Sequence, residues 1–263
     1  MIRLGQNFLI SKAIARRMVK AAEVGPNDVI LEIGPGRGIL TEELLKKAKK
    51  VIAVEKDAGL FNFLKTRFSR EEASGKLVLI RADIRDYLRA AQNGQNRVLT
   101  KASKIVANIP YYLTGQLLRL LMVRTRFWPV VIMLQKEVAQ RIMAKKKMSL
   151  LAVSVQVFAE PKIAFYVSRK NFRPQPKVDS AVVIFEPRKK DFFQEHKINQ
   201  GAFFELVKTG FQHKRKLLAS NLKVLISQAE RGFELCKIAP NARAEDLSPE
   251  NWACLAYLIH RKK

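Results

Sequence analysis

A glycine-rich turn follows the first long apolar run of the chain. Val29 to Ile33 leads directly into Gly34-Pro35-Gly36-Arg37-Gly38, and a helical pattern comes next. Glycines at such a turn let the backbone bend tightly and let a ligand approach without meeting a Cβ atom. A dinucleotide site would have its third glycine where Ile39 stands, and the Gly-Lys-Ser/Thr of a P-loop is missing. By itself the turn could be a plain strand-to-helix connection.

Two acidic residues follow the next two predicted strands. Glu55 ends the second strand, where a carboxylate can accept hydrogen bonds from both ribose hydroxyls of a nucleoside. Asp83 follows the third strand, where a carboxylate can accept a hydrogen bond from an adenine amino group. Either acid alone could be a helix cap or a surface charge. Because a sulfonium nucleoside has no phosphate to clamp, S-adenosylmethionine fits the turn and the two acids best.

A polar residue, a proline and an aromatic residue follow the fourth predicted strand, in Asn108-Ile109-Pro110-Tyr111. Adenine N6 is a weak nucleophile because its lone pair is delocalised into the ring. An Asn oxygen and a backbone carbonyl can accept its two N–H groups and favour a more tetrahedral nitrogen. Pro110 would fix the turn, and Tyr111 would offer a face to a stacked base. The pattern predicts methyl transfer to an adenine, although an ordinary β-turn beginning at Asn108 fits the same residues.

Short β-rich runs alternate with helical patterns as far as Pro187, which is typical of an α/β fold with a mostly parallel sheet. The seven predicted strands are Asp28–Ile33, Lys50–Glu55, Leu77–Ile80, Lys104–Asn108, Val130–Leu134, Lys162–Val167 and Ser180–Phe185. Helices predicted between them include Ile39–Lys49, Ala58–Phe68 and Thr114–Arg124. Ligands of such sheets bind at the carboxyl ends of the strands, so the turn, the two acids and Asn108 should converge.

The pattern becomes helical after Pro187. One helix face is predicted from the spacing of Phe204, Val207, Phe211, Leu218, Leu222 and Leu225. The cations of His213-Lys214-Arg215-Lys216 would lie on and beside the outward face of that helix. Asp246, or Ser248-Pro249, could begin a last helix that ends near Ile259. We therefore predict a cofactor-binding catalytic domain over residues 1–187 and a small all-helical domain over residues 188–263.

The charge of the chain points to a polyanionic partner. The 263 residues include 49 Lys and Arg against 23 Asp and Glu, which gives a net charge of +26. The hydrophobic fraction of 48% is that of an ordinary globular protein and excludes a disordered or collagen-like chain. A single basic run is usually a solvated helix face, but an excess of this size favours nucleic acid binding. Because both predicted domains are basic, we expect the face that binds nucleic acid to span both.

Several classes of protein are not indicated. No apolar run reaches the roughly 18 residues of a membrane span, and the N-terminus lacks the apolar core of a signal peptide. Cys236 and Cys254 lack the spacing of a zinc site, and we interpret them as two small core residues rather than a disulfide framework. We expect a cytosolic protein with no metal and no membrane partner.

The motifs together resemble one family, the small-subunit (16S) ribosomal RNA adenine dimethyltransferases of the class I S-adenosylmethionine-dependent methyltransferases. The resemblance covers nearly the whole chain. The matching motifs are Leu4–Leu9, Glu32–Gly36, Val54–Asp57, Asn108–Tyr111, Met133–Glu137, Phe172–Ser180, Phe211–Leu222 and Arg243–Ser248. The resemblance implies a Rossmann-like fold with a seven-stranded sheet and a helical C-terminal domain.

Site residues can be carried over from this resemblance to matching positions. Cofactor contacts are implied for Asn7, Leu9, Gly34, Gly36, Glu55, Asp83 and Asn108. Catalytic roles are implied for Asn108, Pro110, Tyr111 and Phe172, the last as a second aromatic wall opposite Tyr111. The implied reaction gives N6,N6-dimethyladenosine at two adjacent adenosines in the 3′-terminal hairpin loop of small-subunit rRNA. We expect a monomer, and the implied partner is an immature small ribosomal subunit, for which the enzyme could also act as an assembly checkpoint.

The match departs from the family between Arg141 and Val153, where a loop with a Pro-Gly and a Tyr-Gly pair is usual. Here the segment is shorter and carries Lys145-Lys146-Lys147, so either the loop is truncated and the basic run contacts RNA instead, or residues are missing from the chain at this point. Two other functions use the same core motifs. One is the 23S rRNA adenine methyltransferase of macrolide resistance, and the other is a non-catalytic RNA-binding assembly or transcription factor.

Overall fold

The computed structural model describes residues 7–92, 104–110, 113–124, 129–223 and 229–260. The strands in these ranges are β1 (Phe8–Leu9), β2 (Val29–Ile33), β3 (Lys50–Glu55), β4 (Leu77–Arg81), β5 (Lys104–Asn108), β6 (Val130–Gln135), β7 (Ala159–Val167), β8 (Phe172–Arg173) and β9 (Ser180–Pro187). The α-helices are α1 (Lys12–Ala21), α2 (Ile39–Leu45), α3 (Ala58–Arg67), α4 (Ser69–Ala73), α5 (Ile84–Gln92), α6 (Thr114–Arg124), α7 (Lys136–Met143), α8 (Leu150–Gln156), α9 (Phe192–Glu195), α10 (Gln200–Gly210), α11 (Leu218–Leu222), α12 (Ala229–Leu235) and α13 (Pro249–His260).

A seven-stranded sheet has the order β4-β3-β2-β5-β6-β9-β7. The pairs β3–β4, β2–β3, β2–β5 and β5–β6 are parallel, whereas β9 runs antiparallel to β6. The central strands are almost continuously apolar and buried, as expected when helices cover both faces of a parallel sheet. The predicted α/β fold with a mostly parallel seven-stranded sheet is confirmed, and the predicted bounds of β3, β5 and α6 match the structure.

The strand order reverses beside β2, since β3 lies on one side of it and β5 on the other. Connections that leave a parallel sheet in opposite directions open a crevice at the carboxyl ends of the strands. The glycine turn after β2, Glu55 at the end of β3 and Asn108 at the end of β5 therefore share one edge of the sheet.

Gly38 is the tightest point of the turn between β2 and α2. Its φ of +78° lies in the left-handed region, and α2 begins directly after it at Ile39. A Cβ atom at position 38 would lie 2.5 Å from Phe68 Cε2 and 2.9 Å from Leu64 Cδ2. The close approach of the turn to α3 therefore needs a glycine here, although the dinucleotide pattern would have it one residue later.

Gly38→Ala is expected to lower the free energy of unfolding by about 2–3 kcal/mol, because backbone strain and overpacking add. Gly75→Ala is the matched control, since Gly75 also has a positive φ of +71°, but a Cβ atom there would have no neighbour within 4 Å. We expect the control substitution to lower the free energy of unfolding by about 1 kcal/mol, because it adds backbone strain alone. Urea unfolding of both variants measures the difference, and equal losses would contradict a packing role for Gly38.

A second compact unit contains Gln140–Glu160 together with the described residues from Pro187 onward, and the first unit contains the rest. The main boundary at Pro187 agrees with the predicted one, but the prediction that residues 140–160 belong to the first domain is wrong. The segment belongs to the second unit because Ala152 and Val153 of α8 pack in one apolar cluster with Phe203 and Trp252. The Met148 N–H also donates to the Glu245 carbonyl at 2.7 Å.

The basic run of this segment is partly neutralised within the second unit. Lys147 Nζ lies 2.8 Å from Asp246 Oδ1 and 3.1 Å from Glu245 Oε1. Lys145 Nζ donates to Gln156 Oε1 at 3.2 Å. The alternative in which Lys145–Lys147 contact RNA is therefore weakened for Lys147, whereas the hydrogen bond to the neutral Gln156 amide leaves the charge of Lys145 in place.

The single helix face predicted from Phe204 onward is wrong as far as Leu222, and Leu225, the last residue of that prediction, lies outside the described residues. Helix α10 ends at Gly210 and α11 begins at Leu218. Asn221 Nδ2 donates to the Gly210 carbonyl at 2.7 Å and to the His213 carbonyl at 3.1 Å, which stabilises the turn between the helices. The cations of His213–Lys216 therefore lie in an exposed turn rather than on a helix face.

The last helix begins as predicted, because the Ser248 hydroxyl accepts from the Asn251 N–H at 3.2 Å.

The interpretation of the two cysteines as unlinked core residues is wrong, since Cys236 and Cys254 form a disulfide with their Cα atoms 5.7 Å apart. Packing of α12 against α13 brings them together, and a separation of 18 positions in the sequence does not reveal it. None of the helices in the described ranges has the length and apolarity that a membrane span requires.

Candidate cofactor and substrate site

Two adjoining cavities lie in the first unit at the carboxyl ends of β2 to β5. Residues that line the first cavity include Asn7, Phe8, Leu9, Glu32, Gly34, Gly36, Glu55, Asn108, Pro110 and Phe172. Residues that line the second include Gly34, Glu55, Lys56, Asp83, Arg85, Ile109, Pro110 and Gln116. Because Gly34, Glu55, Ile109 and Pro110 line both, the cavities form one elongated cleft, which suits a ligand with two unlike halves.

The cleft brings together the predicted cofactor residues and most of the predicted catalytic ones. Strand β1 pairs with β8, with Leu9 opposite Phe172, so the segment that begins at Asn7 forms one wall of the first cavity. Asp83 lines only the second cavity. Tyr111 lies outside the described residues, so its predicted role stays a prediction.

Glu55 connects the glycine turn to the end of β3. Its Oε2 accepts from the Gly36 N–H at 3.2 Å, and its Oε1 accepts from the Asp57 N–H at 2.9 Å. Burial of the carboxyl group raises the pKa of Glu55, and the two backbone N–H groups oppose that rise. The carboxylate is thus held in one orientation where the two cavities meet.

Asp83 is surrounded by donors that the sequence motifs do not include. Its Oδ1 accepts from the backbone N–H and Nε of Arg85, both at 2.9 Å. Its Oδ2 accepts from Arg85 Nη2 at 2.6 Å and from Lys56 Nζ at 2.9 Å. Hydrogen bonds from Arg85 and Lys56 hold the pKa of Asp83 well below its usual range. Lys56 directly follows the predicted site residue Glu55, and Arg85 lies two residues after Asp83. This proximity in the sequence could have identified both cations as site residues.

Asn108 ends β5, where it pairs with Met133 of β6, and the buried Ile109 follows it. Its carbonyl oxygen lies 3.9 Å from the position of a Cβ atom on Gly34, so this strand end faces the glycine turn. The Pro110 carbonyl accepts from the Leu113 N–H at 3.0 Å and thereby begins the turn into α6. Asn108, which carries an amide oxygen and a backbone carbonyl, lines the first cavity, and oxygen acceptors there suit a ligand with N–H donors.

Phe172 lines the first cavity although its side chain is almost completely buried, with 1% exposed. Phe8, for which no role was predicted, lines the same cavity opposite the glycine turn. A Cβ atom on Gly36 would lie 3.2 Å from Phe8 Cδ1, and the Arg37 guanidinium carbon lies 5.1 Å from the centre of the Phe8 ring. An aromatic stacking role for Phe172 against a target base stays a prediction.

Glu32 is a second buried acid in the wall of the first cavity, and no role was predicted for it. Its side chain is 1% exposed, and neither carboxylate oxygen has a hydrogen-bond partner of good geometry among the described residues. Burial raises the pKa of Glu32 to about 8, and Glu55 adds to this rise while Thr41 offsets part of it. An acid without a partner in a cavity wall favours a ligand that carries N–H donors or positive charge.

The raised pKa of Glu32 makes the stability of the ligand-free chain depend on pH. The folded chain keeps a proton that the unfolded chain releases above pH 4.5, so this stabilisation is complete below 4.5 and is lost as pH rises through about 8. Between pH 6 and pH 8 the wild-type free energy of unfolding should fall by about 2 kcal/mol more than that of Glu32→Gln. Urea unfolding at both pH values measures this, with the exposed Glu160→Gln as control. Equal pH dependence in all three chains would contradict it.

Comparison with known proteins identifies the family. The sequence is 40% identical over 261 residues to the ribosomal RNA small subunit methyltransferase A of Synechococcus elongatus, with 95% of this chain and 91% of that protein covered. The family described as ribosomal RNA adenine dimethylase matches residues 1–261. The chain belongs to this family.

Two solved structures share the fold of this adenine dimethylase. A dimethyladenosine transferase from Plasmodium falciparum has a TM-score of 0.75 at 26% identity, with 97% of this chain and 98% of that chain covered. The 23S rRNA methyltransferase ErmE has a TM-score of 0.70 at 22% identity, with 97% of this chain and 100% of that chain covered, and is similar in fold alone.

As an adenine dimethylase, the chain is an enzyme that uses S-adenosylmethionine as its methyl donor, and the cleft fits that cofactor. The buried Glu32 carboxyl group, which lacks a hydrogen-bond partner of good geometry among the described residues, suits a ligand that carries N–H donors. Gly36 leaves room beside Phe8 that a Cβ atom would fill. Among the described residues, no group of three or more His, Cys, Asp or Glu side chains is arranged to hold a metal ion.

Proposed function

We propose that this enzyme dimethylates N6 of two adjacent adenosines in the 3′-terminal hairpin loop of small-subunit (16S) rRNA. The observation that carries the proposal is the position of Asn108 and Pro110 in the cleft that Gly34 and Glu55 also line. The names of relatives support the choice of RNA, since those from Synechococcus elongatus and Lactobacillus johnsonii are both called ribosomal RNA small subunit methyltransferase A.

The cofactor supplies the methyl group when bound, and the cleft residues hold it. We assign Glu55 to the ribose hydroxyls and Asp83 to the adenine amino group, because Glu55 ends β3 and Asp83 follows the end of the neighbouring β4. Asn7, Leu9, Gly34 and Gly36 would contact the remainder from the β1 segment and the glycine turn.

The acceptor adenine is positioned by oxygen atoms rather than by a strong base. The Asn108 side-chain oxygen and a backbone carbonyl of the same turn accept the two N6 hydrogens, which favours a tetrahedral nitrogen with an available lone pair. Pro110 fixes that turn, and Tyr111 with Phe172 would enclose the base. Positioning of this kind accounts for catalysis without a histidine in the cleft.

The proposed partner is an immature small ribosomal subunit in the cytoplasm, bound by a monomer. The net charge of +26 supports an RNA partner, and Lys214, Arg215 and Lys216 of the second unit are exposed. The helical unit would contribute to RNA contact, and binding before methylation could serve as a checkpoint in subunit assembly.

Transfer of radiolabelled methyl groups from S-adenosylmethionine to unmethylated small subunits tests the proposal, with large subunits and adenine-containing DNA as controls. Label recovered as N6,N6-dimethyladenosine in small-subunit rRNA is expected. Label in the large subunit would instead assign the 23S activity. Tight RNA binding without any transfer would favour a non-catalytic binding factor.

A further inference from the structure

The carboxylate of Asp83 has no acceptor position left for a ligand. An ionised carboxylate offers about four lone-pair positions. Arg85 occupies three of them with its backbone N–H, Nε and Nη2, and Lys56 Nζ occupies the fourth. An adenine amino group could donate to Asp83 only after one of these donors has left.

Arg85 is the donor that is fixed. It holds both oxygens of Asp83, and its Nη1 donates to Gln116 Oε1 of α6 at 3.0 Å. Its backbone N–H belongs to the first turn of α5 and cannot leave without unwinding the helix. A guanidinium group that binds both oxygens of a carboxylate, and whose third nitrogen is also hydrogen-bonded, makes a strong interaction of well-defined geometry.

Lys56 is the donor that can leave. It makes one contact to Asp83, its side chain is 60% exposed, and Arg85 by comparison is 29% exposed. Exposed lysine–carboxylate pairs are weak, because solvent screens them and the flexible side chain loses entropy when it is held. Lys56 also lines the second cavity beside Asp83, so its ammonium group lies where a ligand of that cavity would be.

We propose that Lys56 is a specificity-determining residue whose ammonium group occupies the position on Asp83 that the cofactor's adenine amino group takes. Cofactor binding then displaces Lys56 from Asp83 while Arg85 stays in place. This inference rests on the proposed assignment of Asp83 to the adenine ring. A base with an oxygen at its 6-position would keep Lys56 near the site, since the ammonium group can donate to that oxygen.

Lys56→Met keeps an unbranched side chain that is one heavy atom shorter and removes the charge, so it should change the affinities for two related nucleosides in opposite directions. It should bind S-adenosylhomocysteine about three- to fivefold more tightly, because no ion pair has to be broken. It should bind S-inosylhomocysteine, which has a 6-oxo group, about threefold or more weakly, because Asp83 then faces an oxygen without a donor between them.

Isothermal titration calorimetry of the full chain with both nucleosides tests this. Lys65→Met is the matched control, because Lys65 is an exposed lysine of α3 that lines neither cavity, and it should bind both as the wild type does. Opposite changes for the two nucleosides in Lys56→Met support the proposal, and unchanged or parallel affinities overturn it. Absence of S-adenosylhomocysteine binding by the wild type would instead overturn the cofactor site itself.

Discussion

Asn108→Ala is expected to lower the turnover number for methyl transfer by about a hundred- to a thousandfold, the usual cost of removing one preorganised polar contact to the reacting group. Asn108 stands at the end of β5, at the edge of the cleft that Gly34 and Glu55 line. Without its side-chain oxygen, one N6 hydrogen of the adenine would have no acceptor, and the nitrogen would stay planar. Single-turnover transfer to small-subunit RNA at saturating S-adenosylmethionine measures the loss.

Two further variants make the Asn108 result specific. Asn62→Ala removes an exposed Asn from α3 and should transfer methyl groups at the wild-type rate. Asn108→Asp keeps an acceptor oxygen and should recover part of the activity that alanine loses. If Asn108→Ala reacted at nearly the wild-type rate, the acceptor role of this side chain would have to be abandoned.

Glu55→Ala should weaken binding of S-adenosylhomocysteine by about a hundredfold to ten-thousandfold. Hydrogen bonds to a charged group are each worth about 1.5–3 kcal/mol, and the proposed role has this carboxylate accept from both ribose hydroxyls. The variant also leaves the Gly36 and Asp57 N–H groups without the acceptor they have in the folded chain. Calorimetry measures the affinity, and Glu186→Ala, at an exposed position of β9, is the control.

A 2′-deoxy analogue separates the two effects of Glu55→Ala. The wild type should prefer S-adenosylhomocysteine over its 2′-deoxy analogue, whereas the variant should bind the two alike. A preference that persists unchanged in Glu55→Ala would mean that the ribose lies elsewhere and that Glu55 only supports the glycine turn.

The parts of the fold that could be predicted are those where one local pattern decides the structure. Strands β3 and β5 are apolar on both faces because helices cover the sheet on both sides, and their bounds in the sequence match the structure. Glu55 and Asn108 could be selected because they end such strands, and the carboxyl ends of parallel strands lie at one edge.

The failures concern features that depend on contacts distant in the sequence. The spacing from Phe204 to Leu222 is typical of one helix, but Asn221 bonds to two carbonyl groups of a turn that interrupts it. The disulfide depends on the packing of α12 against α13, and the place of residues 140–160 depends on apolar partners such as Trp252. The hydrogen bonds that Lys56 and Arg85 donate to the Asp83 carboxylate depend on the conformations of these side chains. The hydrophobic pattern of the sequence does not reveal such conformations.

The pairing of β1 with β8 has a consequence for the biosynthesis of the enzyme. Leu9 is among the first described residues to leave the ribosome, yet its strand partner Phe172 lies about two thirds of the way along the chain. A contact between such distant residues forms late, because the intervening chain has to be ordered first. A nascent chain that has not reached Phe172 therefore lacks one wall of the first cavity, and that cavity is complete only when about two thirds of the chain has been translated.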